Sequence, residues 1–171
     1  MVASKIEQMR IGKQHLRVWV PSKDTGIDLL VTSPDCKRTV ALQIKFSKTY
    51  NCKIGDDAIG WWTINCRKLE DSIADYWVLV LPKCDREKLF SDWFFIVIPP
   101  RELLRRLESI HGKIDSNKSY KVIIRVRGKN VAEIRSMKKG ATKHATNRDF
   151  SKCLNKLEEI LRPLAMPENN T

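Results

Sequence analysis

Apolar residues recur along the chain with two spacings. Val2, Ile6 and Met9 fall three or four apart, on one face of a short helix ending near Gly12. Residues 16–20, 26–32 and 39–47 read as short strands, the last two separated by the turn sequence Ser33-Pro34-Asp35-Cys36. Residues 50–60, with Asn51, Gly55, Asp56, Asp57 and Gly60, read as a loop, and residues 61–70 as a helix. The continuous apolar runs at 76–81 and 93–98 predict buried strands. Pro100 opens a helix at its favoured first position, with Leu103, Leu104, Leu107 and Ile110 facing inward and Gly112 as its stop. Residues 120–126 predict a further strand. Asn147 is placed to cap a final helix whose inner face is Phe150, Leu154, Leu157 and Leu161, ended by Pro163.

This order predicts one mixed α/β domain. Residues 1–112 form its core, and residues 113–171 form a basic, helical C-terminal part packed on it. There are no internal repeats and no low-complexity linker.

Composition adds a core and a charge. The chain has 171 residues, 42% of them hydrophobic, enough to bury a core without disulfides or metals. Lys and Arg total 32 against 20 Asp and Glu, a net charge of +12, which favours a polyanionic partner. Between residues 121 and 152 the only acids are Glu133 and Asp149, among ten Lys and Arg. Lys138, Lys139, Lys143 and Arg148 are the expected phosphate contacts, to double-stranded DNA where the polyanion is nucleic acid; a solvated face with no specific partner would carry the same charges. No apolar run is long enough to cross a bilayer, and the N-terminus has no secretory leader, so no membrane role is expected. The five cysteines, at 36, 52, 66, 84 and 153, form no C-x-x-C pair and read as buried, reduced thiols of a cytoplasmic protein. His15, His111 and His144 lack metal-ligand spacing.

The candidate chemistry lies on two strands. Period two puts Ile27, Leu29 and Val31 on one face and Asp28 on the other. On the next strand Val40, Leu42, Ile44 and Phe46 share one face, with Ala41, Gln43 and Lys45 opposite. A turn centred between Asp35 and Cys36 sets Asp28 across from Gln43. One centred between Pro34 and Asp35 sets it across from Ala41, with Gln43 diagonal. Either register gathers Asp28, Gln43 and Lys45 on one face, within about 5–8 Å. A carboxylate and an amide oxygen are hard ligands suited to Mg²⁺. A neighbouring lysine can orient a water and stabilise charge on an attacked phosphodiester. A half-exposed hairpin with no such task would show the same alternation.

The run Gly26-Ile27-Asp28-Leu29-Leu30-Val31, followed by Leu42-Gln43-Ile44-Lys45, resembles the PD-(D/E)XK nuclease superfamily over residues 1–100. The resemblance implies a restriction-endonuclease-like core of helix, three-stranded hairpin sheet, helix and further strands. Asp28 would bind Mg²⁺ directly. Gln43, where Glu or Asp is usual, would offer its side-chain oxygen, and the Ile44 carbonyl a further ligand. Lys45 would position the attacking water, and Glu7 on the first helix would hold a metal-bound water. Gln in place of an acid removes one negative charge, which implies weaker Mg²⁺ affinity and Mn²⁺ as a substitute. The implied activity is that of a Mg²⁺-dependent DNA endonuclease, foremost a small type II-like restriction endonuclease acting as a homodimer. A repair or recombination nuclease, and a DNA-binding module without catalysis, stay open, as does RNA as substrate. Asp56 and Asp57 read as turn residues. Of the adjacent Trp61 and Trp62, one belongs in the core and the other is free to stack on a base; Trp62 is assigned to DNA.

Overall fold

The computed structural model describes residues 2–11, 14–23, 25–52, 57–84, 90–135 and 146–165. Helix α1 (Val2–Gln8) is followed by a small hairpin of β1 (Arg10–Ile11) and β2 (Gln14–His15). Strands β3 (Arg17–Trp19), β4 (Leu29–Thr32) and β5 (Thr39–Phe46) form an antiparallel meander. Then come β6 (Thr49–Cys52), β7 (Asp57–Asn65), α2 (Cys66–Glu70), β8 (Tyr76–Cys84), β9 (Phe90–Ile98) and α3 (Pro100–His111). Strands β10 (Ser119–Arg127) and β11 (Asn130–Glu133), two 3₁₀ turns, α4 (Leu157–Leu161) and a third 3₁₀ turn (Arg162–Leu164) complete the order of the described residues.

The larger strands make two sheets. One has the order β3-β4-β5-β8-β9, with β5 and β8 parallel and every other pair antiparallel. The other has the order β11-β10-β7-β6 and is antiparallel throughout. The parallel β5–β8 step needs a crossover, which β6, β7 and α2 supply.

The five-stranded sheet is covered on both faces, which is why β8 and β9 read as continuous apolar runs. On one face Trp77, Leu79, Phe94 and Ile96 pack with Trp62, Val122 and Ile124 of the second sheet and with Leu103 and Leu107 of α3. On the other, Val78, Val80, Phe95 and Val97 pack with Val2 and Ile6 of α1 and Leu157 and Leu161 of α4. Each large aliphatic fully buried this way contributes about 1.5–3 kcal/mol. Gly112 ends α3 at φ 80°, its N–H donating to Glu108 O at 2.8 Å.

Three expectations are corrected. Residues 50–65 are not a loop and a helix start but the strands β6 and β7, with residues 53–56 outside the described residues. Ala58, Gly60, Trp62 and Ile64 are buried alternately with more exposed neighbours, and α2 begins only at Cys66. Gly60 signals no turn here; the Trp62 ring folds back over it, where a Cβ would collide.

The second correction concerns the C-terminal part, which is not chiefly helical. Strands β10 and β11 extend the second sheet from β7. Asn147 caps no long helix; its side chain donates to Ser109 Oγ at 2.6 Å and accepts from Arg105 of α3 at 3.0 Å. Asn155 at φ 54° interrupts the chain before the short α4. The third concerns the thiols: Cys66 is buried and Cys153 partly so, but Cys36 is exposed at positive φ in the β4–β5 turn. Among the described residues no helix is long and apolar enough to cross a membrane.

Candidate active site

The β4–β5 register pairs Leu29 with Leu42 and Thr32 with Thr39. This is the first of the two registers open to the sequence, and Asp28 lies just before β4, beyond its last pair. The Asp28 N–H donates to Leu42 O at 2.8 Å, one residue off that register. Its carboxylate turns onto β5, where Oδ2 accepts from the Ile44 N–H at 2.6 Å and from Gln43 Nε2. A residue's N–H and C=O leave a strand on the same side. The Ile44 carbonyl therefore also leaves β5 toward Asp28.

Gln43 is 4% exposed and faces Trp77 on β8. Its amide lines a cavity of about 450 Å³, with Gly26, Asn65, Arg67, Lys68 and Ser72 among the other walls. Asn65 caps α2, its Oδ1 accepting from Lys68 N at 2.9 Å, and the exposed Arg67 pairs with Asp71 at 3.6 Å. The cavity thus has Gln43 in its wall and the charged side chains of Arg67, Lys68 and Asp71 in its lining. Neither Arg67 nor Lys68 stood out in the sequence, because residues 61–70 read as one continuous helix.

Lys45 lies two residues beyond Gln43 on the same face. Its Nζ is 5.7 Å from the centroid of the Trp77 ring, so the side chain leans back along the strand toward Gln43. Trp77 is itself fixed by an Nε1 bond of 2.9 Å to Ser72 Oγ. From the second sheet, Trp62 Nε1 donates to Lys45 O at 2.9 Å. Asp28, Gln43, the Ile44 backbone and Lys45 are therefore gathered as the alternation predicts.

Other expected residues stand elsewhere. Glu7 is exposed on α1, whose Val2 and Ile6 pack on the sheet face opposite Gln43 and Lys45. It makes no contact with the cluster among the described residues. Trp62 is 2% exposed and cannot stack on a base; its partner Trp61, 45% exposed, is the outward indole. Arg148 does not face solvent as a phosphate contact. It pairs with the fully buried Glu133 and donates to Arg135 O at 3.0 Å. Asp57 lies in β7 rather than a turn and accepts from Arg125 at 3.0 and 2.7 Å. Lys138, Lys139, Lys143, His144 and Asp56 lie outside the described residues.

Burial pushes the Glu133 carboxyl above its ordinary range, against the pull of Arg148 and Arg135. Burial, with the same two arginines, holds His111 below its ordinary value. Among the described residues, no three His, Cys, Asp or Glu side chains form a group that could hold a metal ion. The oxygens of Asp28, Gln43 and Ile44 form a hard donor set carrying one charge. That set fits Mg²⁺ only where a substrate phosphate adds further oxygens. Gln43 presents its nitrogen to Asp28, so its oxygen joins the set after a half-turn of the amide. The chain matches no family profile, no curated protein and no solved structure.

Proposed function

We propose that the protein is a metal-dependent DNA endonuclease whose centre is Asp28, Gln43 and Lys45. One observation carries this reading. The β4–β5 register sets a carboxylate, an amide and an amine on one sheet face, beside a cavity lined by Arg67, Lys68 and Asp71. The helix, the antiparallel meander and the parallel fourth strand suit the resemblance to the PD-(D/E)XK superfamily, with β6 and β7 inserted between the meander and α2. The net charge of +12 suits a polyanionic substrate.

Mg²⁺ or Mn²⁺, when bound, supplies positive charge at the attacked phosphoryl group. The protein supplies the rest. Asp28 gives the one carboxylate of the centre among the described residues, steadied by the Ile44 N–H. Gln43 contributes the oxygen of its amide. Lys45 carries three N–H donors and no acceptor, so its Nζ holds a water by the oxygen and leaves a lone pair free for attack. The same ammonium then meets negative charge developing on the phosphate. Arg67 and Lys68 hold the flanking phosphates. This role is proposed for a cytoplasmic setting, which keeps the exposed Cys36 reduced.

Plasmid cleavage with Mg²⁺ or Mn²⁺ tests the reading, comparing wild type with Asp28→Ala and Lys45→Ala. Discrete fragments lost in both variants support a restriction-type enzyme, and nicking lost in both supports a repair nuclease. The bond from Gln43 Nε2 to Asp28 favours one second reading, a DNA-binding module without catalysis. Salt-dependent DNA binding by all three proteins, with no cleavage under either metal, would establish that instead.

A further inference from the structure

The outer face of the four-stranded sheet is unlike the rest of the surface. Along β7 and β10 burial alternates residue by residue, so the odd-numbered side chains point away from the core. Trp61 stands on that face, 45% exposed, while Trp62 and Trp77 are 2% and 1% exposed. Ile123 of β10 pairs directly with it. Lys121 and Arg127 are exposed on the same side of β10. Lys121 Nζ reaches Thr63 Oγ1 at 3.1 Å, which brings its charge across to β7. On the described residues of these strands the face has one carboxylate, Asp57, and Arg125 engages both its oxygens.

The backbone of Trp61 is held firmly. Its N–H donates to Ser47 Oγ at 2.7 Å, and its C=O accepts from Lys48 N at 2.9 Å. Ser47 and Lys48 directly follow the strand that carries Lys45. Two neighbouring indoles thus join site and face: Trp62 points inward onto Lys45 O, and Trp61 points outward among cations.

We propose that this face binds single-stranded DNA, with a base stacked on the Trp61 ring and the strand's phosphates drawn to Lys121, Arg127 and Lys48. Every base has a π-face, and an aromatic platform among positive charges binds unpaired strands with little sequence preference. A duplex keeps its bases stacked on each other and offers the indole nothing to receive. Its connection to cleavage rests on the nuclease reading above, whereas the binding does not. If both hold, the substrate is DNA with an unpaired stretch entering the Asp28 centre.

The test is fluorescence anisotropy with labelled oligo-dT and a duplex of equal length, in EDTA, over a salt series. Wild type binds oligo-dT. Trp61→Ala weakens that binding about 5- to 100-fold and leaves duplex binding nearly unchanged. Trp61→Phe, which keeps a ring face, retains most of the affinity. Lys121→Glu weakens binding and flattens its salt dependence. Wild-type affinity in Trp61→Ala would overturn the proposal. So would a dimer in sedimentation that Trp61→Ala dissociates without loss of oligo-dT binding, since the face then serves a second copy of the chain. Asp28→Ala separates the two readings. Oligo-dT binding retained, with no cleavage by wild type under either metal, keeps this surface and removes the nuclease. Metal-dependent cleavage with no oligo-dT binding does the reverse.

Discussion

The indole nitrogen of Trp62 donates to the carbonyl oxygen of Lys45 across the gap between the two sheets, at 2.9 Å. Trp62→Phe keeps a ring in the core and deletes that donor. The carbonyl loses that donor, and the smaller ring leaves a void. The expected cost is about 1–3 kcal/mol. For a chain of this size each kcal/mol lowers the melting temperature by about 2–4 °C. Because Lys45 loses a backbone anchor, cleavage per folded molecule is expected to fall through kcat rather than KM. Urea denaturation beside plasmid cleavage reads both. A stability loss with unaltered kcat would remove Trp62 from the positioning of Lys45.

Gln43→Glu restores the acid usual to the resembled motif and makes a sharper test of cation binding than removing a ligand. Without metal, two carboxylates face each other where an amide now donates to Asp28. The metal-free variant is expected to be less stable than wild type by about 1–3 kcal/mol. Mg²⁺ relieves the repulsion, so the variant's melting temperature should climb with Mg²⁺ concentration as ligand linkage requires. Wild type, with one carboxylate, should climb less. Thermal melts over a Mg²⁺ series decide it: a flat response in both proteins would sink the cation site.

Arg148 is expected to matter for folding and not for DNA. Arg148→Ala takes from the fully buried Glu133 its guanidinium partner and leaves it facing His111 Nε2 at 3.4 Å, a loss of about 3–5 kcal/mol at neutral pH. Burial raises the Glu133 carboxyl, so in the variant it takes up a proton as pH falls, and the penalty shrinks toward pH 5. Denaturation at the two pH values measures this. DNA affinity of the folded variant and its salt slope should match wild type. A slope reduced by about one counterion would instead assign Arg148 to a phosphate.

A carboxylate clamp sets part of the acid limit. Glu102 on α3 accepts from Arg105 Nε and Nη2, both at 2.8 Å, and from Arg106 Nε at 2.7 Å. The Arg105 bonds are the largest cause holding its carboxyl at about 2, below the ordinary 4.5, with burial opposing. A lowered folded pKa means the contribution is complete above pH 4.5 and is lost as pH falls from there through about 2. Glu102→Gln should therefore be less stable than wild type at neutral pH, with the difference closing as pH approaches 2. Guanidinium denaturation across that range reads the gap, and a difference constant with pH would contradict the linkage.

The hairpin that carries the candidate centre was legible because one of its faces is apolar and the other polar. Alternation in residues 39–47 fixed which side Gln43 and Lys45 take, but two turn centres satisfied it. The choice between them depends on the Ser33 N–H bonding Arg38 O and on Cys36 adopting φ 58°, which no period reveals. In β7, Gly60 looked like punctuation because its partner, the folded-back Trp62 ring, is visible only in three dimensions. Counting parity from Ala58 to Ile64 would have put Trp62 inside and Trp61 outside. Glu7 sits on the expected helix, but a sequence pattern does not say which face of a sheet a helix covers. Arg148 became a buried partner through Glu133, fifteen positions away and brought near by the sheet.

Strand β10 pairs along the full length of β7, from Ser119 opposite Asn65 to Arg127 opposite Asp57. During synthesis the first 112 residues leave the ribosome before that partner exists. In that interval one edge of β7 is bare, and Trp62 and Ile64 wait without Val122 and Ile124. A bare edge beside apolar side chains is a template for pairing with other nascent chains. The native topology is thus sealed only once β10 has been made. A message cut short before residue 127 should yield an aggregating fragment rather than a smaller folded protein, with chaperone demand concentrated on the interval between the two strands.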